Sequence, residues 1–342
     1  MEKGKTNPTP EAAVDRNQVI NLFYGEPDSD RWLAFDRYPR RLLRRLVRGK
    51  PRVGGQKRFF LNLCAGLDAL EMGYRVNDYG HARAHPESLA CIIGKPCVLD
   101  GFPWKNPILF GPAVYSHPVA APNLLERLNI RRVLVPCDWM RRMCEPAWGA
   151  KVGTWAAGID TELWKPAPGA EKTTDILLYD KIRWERERYE RELLERVRAE
   201  LRQQSRSFSE IRYGGYEEDT FHRVLGECRA MIFLCEHETQ GFAYQQALAC
   251  DVPILAWDRG GFWQDPEFYP HEVEFGPVTS VPYWDGRCGA KFRDASEFAT
   301  RFEAFWQGVQ TGSFQPRDYI RENLGLEARA RAYAELSEEC LK

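Results

Sequence analysis

The sequence lacks any stretch that could span a membrane as a helix. No run reaches the roughly eighteen consecutive apolar residues that a bilayer span needs. The polar start, MEKGKTNPTPEAAVDRN, also lacks the apolar core of a signal peptide. We therefore expect a cytoplasmic protein.

Signatures of several common activities are missing as well. The chain contains no CxxC pair, no GxGxxG and no GxxxxGK[ST], so dinucleotide-dependent oxidation and P-loop phosphate transfer lose their usual motifs. Its ten cysteines are scattered, several of them in apolar runs, which indicates reduced and mostly buried thiols. With a net charge of -1, the whole molecule has no general affinity for nucleic acid.

What the sequence does contain is an alternation of strand and helix patterns. The apolar run at 19–24 (VINLFY) predicts a buried strand, and residues 56–72 carry apolar side chains on one helical face before Gly73. Further strands are predicted at 74–77, 108–110 and 133–135, with a helical stretch near 88–93. This order indicates a parallel α/β sheet.

The same alternation starts again after the loop at 157–169, which indicates a second domain. Strands are predicted at 175–179, 211–213, 230–234, 254–256 and 280–282, and helices at 185–203, 217–227 and 243–250. Asp294 and Glu297 then form a capping box ahead of a helix with an aromatic side, which we interpret as core. A length of 342 residues suits two domains better than one.

The most informative stretch is residues 231–258, MIFLCEHETQGFAYQQALACDVPILAWD. A buried strand leads through a Glu-containing turn into a short helix. The backbone N–H groups of Gly241, Phe242 and Ala243 would be unsatisfied donors at the helix start, where the helix dipole also favours a pyrophosphate. Glu238 could accept hydrogen bonds from sugar hydroxyls. Such a strand–turn–helix unit is also common in α/β proteins that bind no phosphate.

This stretch resembles the E-x7-E region of retaining GT-B glycosyltransferases, the GT4-like (group 1) family that includes bacterial polysaccharide and lipid-glycan enzymes. Glu238 stands at the first Glu, and Gly241 with Phe242 at the Gly-Phe pair. Gln246 replaces the second Glu, which the resemblance implies would hold the ribose diol, and an amide both accepts and donates. Asp251 replaces the Gly that ends the helix, and Asp tolerates a left-handed cap.

Two further segments extend the resemblance in the second half. Residues 211–230 resemble the strand, glycine turn and helix that lie by the nucleotide base, which implies that the turn at Tyr213, Gly214 and Gly215 lines the base pocket. Residues 177–186 resemble the strand whose end carries two cations for the donor diphosphate. Lys181 and Arg186 fall on those positions, with Arg183 as a substitute, and the alternative is a solvated charged helix start.

The first half adds weaker matches. Gly54 and Gly55 resemble the family's glycine loop over the donor phosphate and the acceptor, and residues 133–166 resemble its interdomain region. His117 follows a predicted strand and a Gly-Pro turn, so it is a candidate catalytic residue that could bond the transferred sugar. It could equally be a structural loop histidine.

The resemblance implies a GT-B fold, in which two α/β Rossmann-like domains face each other across a cleft. Residues 1–160 would form the acceptor domain and residues 161–317 the nucleotide-sugar donor domain. The C-terminal helix at about 318–342 would pack back onto the first domain.

The implied function is transfer of a sugar from a nucleotide-diphosphate sugar to an acceptor hydroxyl, in glycan, polysaccharide or glycolipid biosynthesis. The acceptor would be a glycan, a lipid-linked molecule or a small molecule. We expect retention of configuration, no metal and no resident cofactor, because Lys and Arg take the place of the metal. Gln246 leaves open a non-catalytic nucleotide-sugar-binding or scaffold protein, and a nucleotide-sugar epimerase of GT-B fold is a further alternative.

Charge is strongly segregated near the amino terminus. Residues 31–52 (RWLAFDRYPRRLLRRLVRGKPR) hold nine Arg or Lys against one Asp, with leucines interleaved. This segment could make a peripheral contact with the anionic inner face of a membrane, or receive an anionic acceptor. A surface helix packed by its leucines is the alternative, and nucleic acid is not expected as a partner because no reading module is present.

Overall fold

The computed structural model describes residues 19–26, 54–112, 115–169 and 171–342. The basic segment 31–52 lies outside these residues. Among the described helices, none is both long enough and apolar enough to cross a bilayer.

Six parallel strands form the first sheet, in the spatial order β2-β1-β3-β4-β5-β6. They are β1 (Ile20–Gly25), β2 (Tyr74–Val76), β3 (Ala90–Gly94), β4 (Ile108–Phe110), β5 (Ile130–Val135) and β6 (Val152–Thr154). The helices of this half are α1 (Gly55–Ala69), α2 (Tyr79–Ala84), α3 (Cys97–Asp100), α4 (Leu124–Arg127) and α5 (Asp138–Trp148). Successive strand residues point to opposite faces, so Phe23 belongs to one apolar layer and Leu22 to the other.

The helix predicted near 88–93 is wrong, because these residues lead into and largely form strand β3. All five residues of that strand, ACIIG, are buried. A short apolar run that is buried on both faces has no period that separates a strand from a helix.

Five parallel strands form the second sheet, in the order β11-β10-β9-β7-β8. They are β7 (Thr174–Lys181), β8 (Phe208–Arg212), β9 (Cys228–Cys235), β10 (Ile254–Trp257) and β11 (Gly289–Phe292). The strand predicted at 280–282 is wrong, because Ser280 and Val281 lie in a loop and the edge strand begins at Gly289. Ser280 instead donates to the carbonyl of Trp257, so it is a buried loop contact.

The helices of the second half follow the sequence pattern closely. They are α6 (Arg186–Tyr189), α7 (Glu195–Gln203), α8 (Glu218–Glu227), α9 (Phe242–Ala249), α10 (Ala295–Gln310), α11 (Pro316–Leu324) and α12 (Leu326–Glu339), with a π-helical turn (Glu190–Leu194) between α6 and α7. The Asp294 carboxylate accepts from the N–H groups of Ser296 and Glu297, which caps α10. The aromatic side of α10 is buried in the core, as expected from the sequence.

Two contacts join the end of the chain to both sheets. Helix α11 packs against α9, and α12 packs against α1. The approach of α12 requires Gly66, because a Cβ there would lie 2.6 Å from the carbonyl oxygen of Leu326.

The segment between β10 and β11 also crosses between the two halves, and we call residues 258–288 the crossing segment. Its buried side chains Trp263, Phe268, Val273 and Val278 belong to an apolar cluster whose other members come from the first sheet and its helices. The two sheets are therefore packed together through a shared core as well as through the chain ends.

Candidate functional site

Lys181 and Glu238 meet at the carboxyl ends of two neighbouring strands. Lys181 ends β7 and pairs in register with Cys235 at the end of β9, three residues before Glu238. Parallel neighbours end at the same sheet edge, and the Lys181 ammonium donates directly to Glu238 Oε1. Both side chains are mostly buried, at 11% and 12% exposure. Burial acts to lower the pKa of Lys181, but Glu238, with smaller contributions from Cys235 and Tyr213, holds that pKa above its usual value.

The backbone of Glu238 is fixed from two sides. The indole N–H of Trp139, on α5 of the first half, donates to the Glu238 carbonyl at 3.0 Å. The Glu238 N–H donates to the carbonyl of Thr279, in the crossing segment, also at 3.0 Å. The carboxylate is thus held on a short, tethered turn.

Glu236 organises the turn after β7. One of its carboxylate oxygens accepts from the backbone N–H groups of Arg183 at 2.9 Å and Trp184 at 2.8 Å. Its other oxygen has no hydrogen-bond partner in the described part of the chain, and the side chain is fully buried. Burial raises the pKa of this carboxyl group. Glu236 was not among the predicted site residues, although its place at the end of a buried strand was a usable signal.

Helix α9 begins just after the Glu238 turn, at a glycine where any side chain would be strained. Gly241 has φ of +82°, and a Cβ there would lie 2.0 Å from the ring of Tyr244. Phe242 and Ala243 begin the helix, so their N–H groups precede its first backbone hydrogen bond, from Gln245 to Gly241. The helix end also agrees with the sequence, because Asp251 has φ of +60°.

Gln246 is buried in α9, at 6% exposure. Its amide makes no side-chain hydrogen bond to the residues that the structure describes. The neighbouring Gln245 differs, because it bonds Gln240, whose own amide is bonded to both the N–H and the carbonyl of Ala157. Gln245 therefore has a structural role between the halves, whereas the polar group of Gln246 is available to a ligand.

The glycine turn after β8 lies next to the ion pair. Tyr213 is 53% exposed, and the Lys181 ammonium lies 4.3 Å from the centre of its ring. Gly214, with φ of +79°, and Gly215 complete the turn. An exposed aromatic face beside a cation is suited to a planar base.

The two predicted arginines of the β7 end are placed differently from Lys181. Arg186 contacts both oxygens of the buried Asp180 at 2.6 Å and also binds Glu190, so its charge is already balanced. The guanidinium of Arg183 lies 5.2 Å from the ring of Trp184, and the side chain is exposed. Lys181 alone of these three cations contacts Glu238.

Gly54 and Gly55 lie at the start of α1, with φ of -67° at Gly54. A Cβ at either position would meet no atom within 4 Å, so nothing in the described structure requires glycine there.

Helix α1 also carries a candidate site residue that the sequence did not reveal. Arg58 binds both oxygens of Glu218 on α8, at 3.2 and 2.6 Å, and lies 5.9 Å from the ring centre of Phe242. No local motif marks a pair separated by 160 residues.

His117 does not contact any other predicted site residue directly. Its Nδ1 accepts from the Val119 N–H at 3.1 Å, and its ring stacks on Trp263 at 5.7 Å. Burial lowers the pKa of its imidazole. Gln264 follows Trp263 in the sequence, and its backbone N–H and carbonyl both contact Nε2 of His237. His237 is the residue before Glu238. His117 is therefore joined to the Glu238 turn through the crossing segment.

Among the described residues, no group of three or more His, Cys, Asp and Glu side chains is arranged to hold a metal ion. The polar groups that converge at the sheet edge are the ammonium of Lys181, the carboxylates of Glu236 and Glu238, and the amino end of α9. This arrangement suits an anionic ligand that also carries hydroxyl groups.

Comparison with known proteins places the fold in a class. No family model matches the chain. No curated protein matches it either. Solved structures do match. Sucrose-phosphate synthase from Thermosynechococcus elongatus aligns with a TM-score of 0.59 at 13% identity, over 94% of this chain and 98% of that one. The apo lipopolysaccharide outer core galactosyltransferase WaaB aligns with a TM-score of 0.53 at 9% identity, over 94% and 100%.

A third structure is TarM from S. aureus in complex with fondaparinux, α-GlcNAc-glycerol and UDP, with a TM-score of 0.52 and 13% identity. It covers 76% of this chain and 58% of that one. With the two parallel sheets already described, these likenesses show that the chain has the GT-B fold. Identities this low show the fold alone.

Proposed function

We propose that the chain is a glycosyltransferase that moves a sugar from a nucleotide-diphosphate sugar to an acceptor hydroxyl, with retention and without a metal. The observation that carries this proposal is the convergence of Lys181 and Glu238 beside the start of α9. The likeness to structures named as a galactosyltransferase and a sucrose-phosphate synthase supports it.

Each part of the site has a distinct task in the proposed reaction. The bond between the sugar's anomeric carbon and the diphosphate oxygen breaks, and the leaving nucleotide takes the electron pair. The acceptor oxygen forms a new bond to the same carbon, and its proton passes to the departing diphosphate. Lys181 and the N–H groups at Phe242 and Ala243 stabilise the charge that develops on that oxygen. Glu238 accepts from hydroxyls of the transferred sugar and holds it for attack by the acceptor hydroxyl.

The nucleoside would lie toward β8 and α9. Tyr213 offers an aromatic face to the base, and the Gln246 amide can accept from one ribose hydroxyl while donating to another oxygen. Arg58 extends from α1 toward the ring of Phe242. It can therefore reach an oxygen of the diphosphate when its contact with Glu218 opens.

A second candidate function, a non-catalytic protein that binds the nucleotide sugar, is favoured by one observation. Lys181 and Glu238 neutralise each other directly, and Gln246 provides no charge for the ribose. The Gln246→Glu variant separates the candidates. An enzyme with an altered donor site changes its preference among nucleotide sugars, whereas a binding protein shows no sugar release in either form.

The proposal is tested with a panel of UDP-, GDP- and dTDP-sugars. Thermal unfolding identifies the donor, because a ligand of the native state raises its stability by mass action. We expect Lys181→Ala to lower kcat/KM for that donor by about 100- to 1,000-fold, as when one transition-state donor is removed. Arg191→Ala, an exposed cation on the same half, is the matched control and should leave turnover unchanged. Equal turnover in both variants would contradict the proposed role of Lys181.

A further inference from the structure

A cavity lies beyond the Glu238 turn, at the carboxyl ends of β10 and β11. Its volume is about 810 Å³, within the range of small-molecule sites. Both halves contribute to it, because α5 supplies one wall and the second sheet with the crossing segment supplies the rest. Five cations line it, namely Arg142, Arg259, Lys291, Arg293 and Arg301. Two carboxylates, Asp258 and Glu297, accompany them.

Three of these arginines form no ion pair within the described residues. Arg259 directs its guanidinium to neutral groups, the hydroxyl of Tyr189 at 2.5 Å and the amide oxygen of Gln264 at 2.8 Å. Arg293 and Arg301 are exposed and form no salt bridge in the described part of the chain. The lining thus holds more cations than carboxylates, and these three arginines have no close carboxylate partner among the described residues.

The two carboxylates are already engaged. Asp258 binds Lys291 at 2.9 Å and also accepts from Thr279 and Ser280. Glu297 accepts from the backbone N–H of Arg293 at 2.9 Å. Asp258 is thus paired with a cation, whereas Glu297 bonds only a backbone N–H, and the excess of cations over carboxylates in the lining favours an anionic ligand.

Guanidinium groups indicate which kind of anion fits. An Arg side chain presents a planar fork of N–H donors that matches two oxygens of a phosphate, and low-dielectric walls strengthen the attraction. Here the aromatic side chains of Trp139 and Phe292 supply such walls. Arginines from different elements can approach one phosphate from several directions.

We infer that this cavity is a binding site for a phosphate-bearing small molecule, separate from the nucleotide-sugar pocket at Lys181. Its occupant touches the two residues that tether Glu238, because Trp139 and Thr279 line the cavity and both hydrogen-bond the Glu238 backbone. Occupation of the cavity is therefore coupled to the position of that carboxylate.

The test uses inorganic phosphate as the probe, with chloride at matched ionic strength as the blank. The thermal midpoint of the full chain should rise saturably with phosphate at millimolar concentration. Arg293→Glu/Arg301→Glu should weaken this response at least tenfold. Arg191→Glu/Arg196→Glu makes the same charge change on exposed residues outside the cavity and should keep the response. If the first double variant fails to fold, Arg142→Glu tests the site from the other half.

The two phosphate sites are distinguished by their variants. Lys181→Ala removes a donor-site cation, so it should lose the nucleotide response and keep the phosphate response. The inference is overturned if phosphate gives no saturable response, if Arg293→Glu/Arg301→Glu retains it, or if Lys181→Ala or the control pair abolishes it. Failure of the nucleotide response alone would count against the proposed function and leave the phosphate site standing.

The phosphate has two conceivable sources, a free effector and an acceptor that carries the group. Donor hydrolysis without acceptor separates them. A free effector changes that rate in the wild-type protein and not in Arg293→Glu/Arg301→Glu. A phosphate carried by the acceptor leaves hydrolysis unchanged, and inorganic phosphate then inhibits transfer competitively with acceptor.

Discussion

At the residue scale, the site depends on a mostly buried ion pair. Lys181 and Glu238 are separated by 57 residues in the sequence, and the parallel pairing of β7 with β9 brings them together.

Removing one partner of this ion pair should lower the free energy of unfolding more than removing both partners. We expect Lys181→Met and Glu238→Gln each to lower the free energy of unfolding by about 3 kcal/mol, because a buried charge is left alone. The double variant should cost less than the sum of the two and should also lose turnover. Urea unfolding of all four proteins gives the coupling energy. Additive losses would show that the pair is not coupled.

His237 makes stability depend on pH. Burial lowers its pKa to about 4, and its Nε2 accepts from the Gln264 N–H at 3.1 Å, so the folded state holds the neutral ring. The unfolded state takes up a proton below about pH 6.5, where the folded state does not. The contribution of neutral His237 to the free energy of unfolding is therefore fully present above about pH 6.5 and falls as the pH drops toward 4.

The measurement is the free energy of unfolding at several pH values between 4 and 7. We expect His237→Gln to remove about 1–3 kcal/mol of the wild-type pH dependence in this window. His85→Gln is the matched control, because His85 is an exposed side chain. An unchanged slope in His237→Gln would contradict burial as the cause.

At the element scale, the start of α9 is the unit that sets the pocket. Gly241 needs a positive φ and the space against Tyr244, whereas Gly55 needs neither. Gly241→Ala should therefore lower the free energy of unfolding by about 2–4 kcal/mol, from backbone strain and overpacking. Gly55→Ala should be neutral or slightly stabilising. Chemical unfolding checks both, and similar effects of the two changes would refute the conformational argument.

The same scale shows where sequence reasoning succeeded. Local signals sufficed for α10, whose Asp294 cap and aromatic face are both encoded within one segment. They also sufficed for α9, where Asp251 adopts the left-handed conformation expected at the helix end. The left-handed conformation of Gly241 at the helix start was not predicted.

Elements that depend on partners far away in the sequence were predicted less accurately. Strand β3 has only five residues and no alternation, and edge strand β11 (GAKF) owes its existence to pairing with β10. In the site, Lys181 at the end of β7 and Glu238 after β9 could be named from the sequence, because the local pattern around each resembles a family motif. Arg58 and the cavity arginines were not, because their neighbours come from remote segments.

At the scale of the whole molecule, the crossing segment joins the two halves. Trp263, at 3% exposure, lies in the core of the first half although it belongs to the loop after β10. Its ring also stacks on His117, so the same residue supports the core and covers a candidate catalytic side chain.

This shared core predicts cooperative unfolding. We expect one calorimetric transition for the native protein and a destabilisation of about 3–5 kcal/mol in Trp263→Ala, with separate transitions for the halves. Phe262→Ala, at a neighbouring side chain that is 46% exposed, should keep the single transition. A single transition in Trp263→Ala with an unchanged midpoint would show that the halves are not coupled through this residue.

The central claim is that the Glu238 turn belongs to a site that releases the sugar from a nucleotide-diphosphate donor. The most direct measurement is the release of free nucleoside diphosphate from UDP-, GDP- and dTDP-sugars by the native chain and by Glu238→Ala, with folding of both checked by circular dichroism. The account predicts release from at least one donor by the native chain and its loss in the folded variant. Full release by folded Glu238→Ala would contradict it.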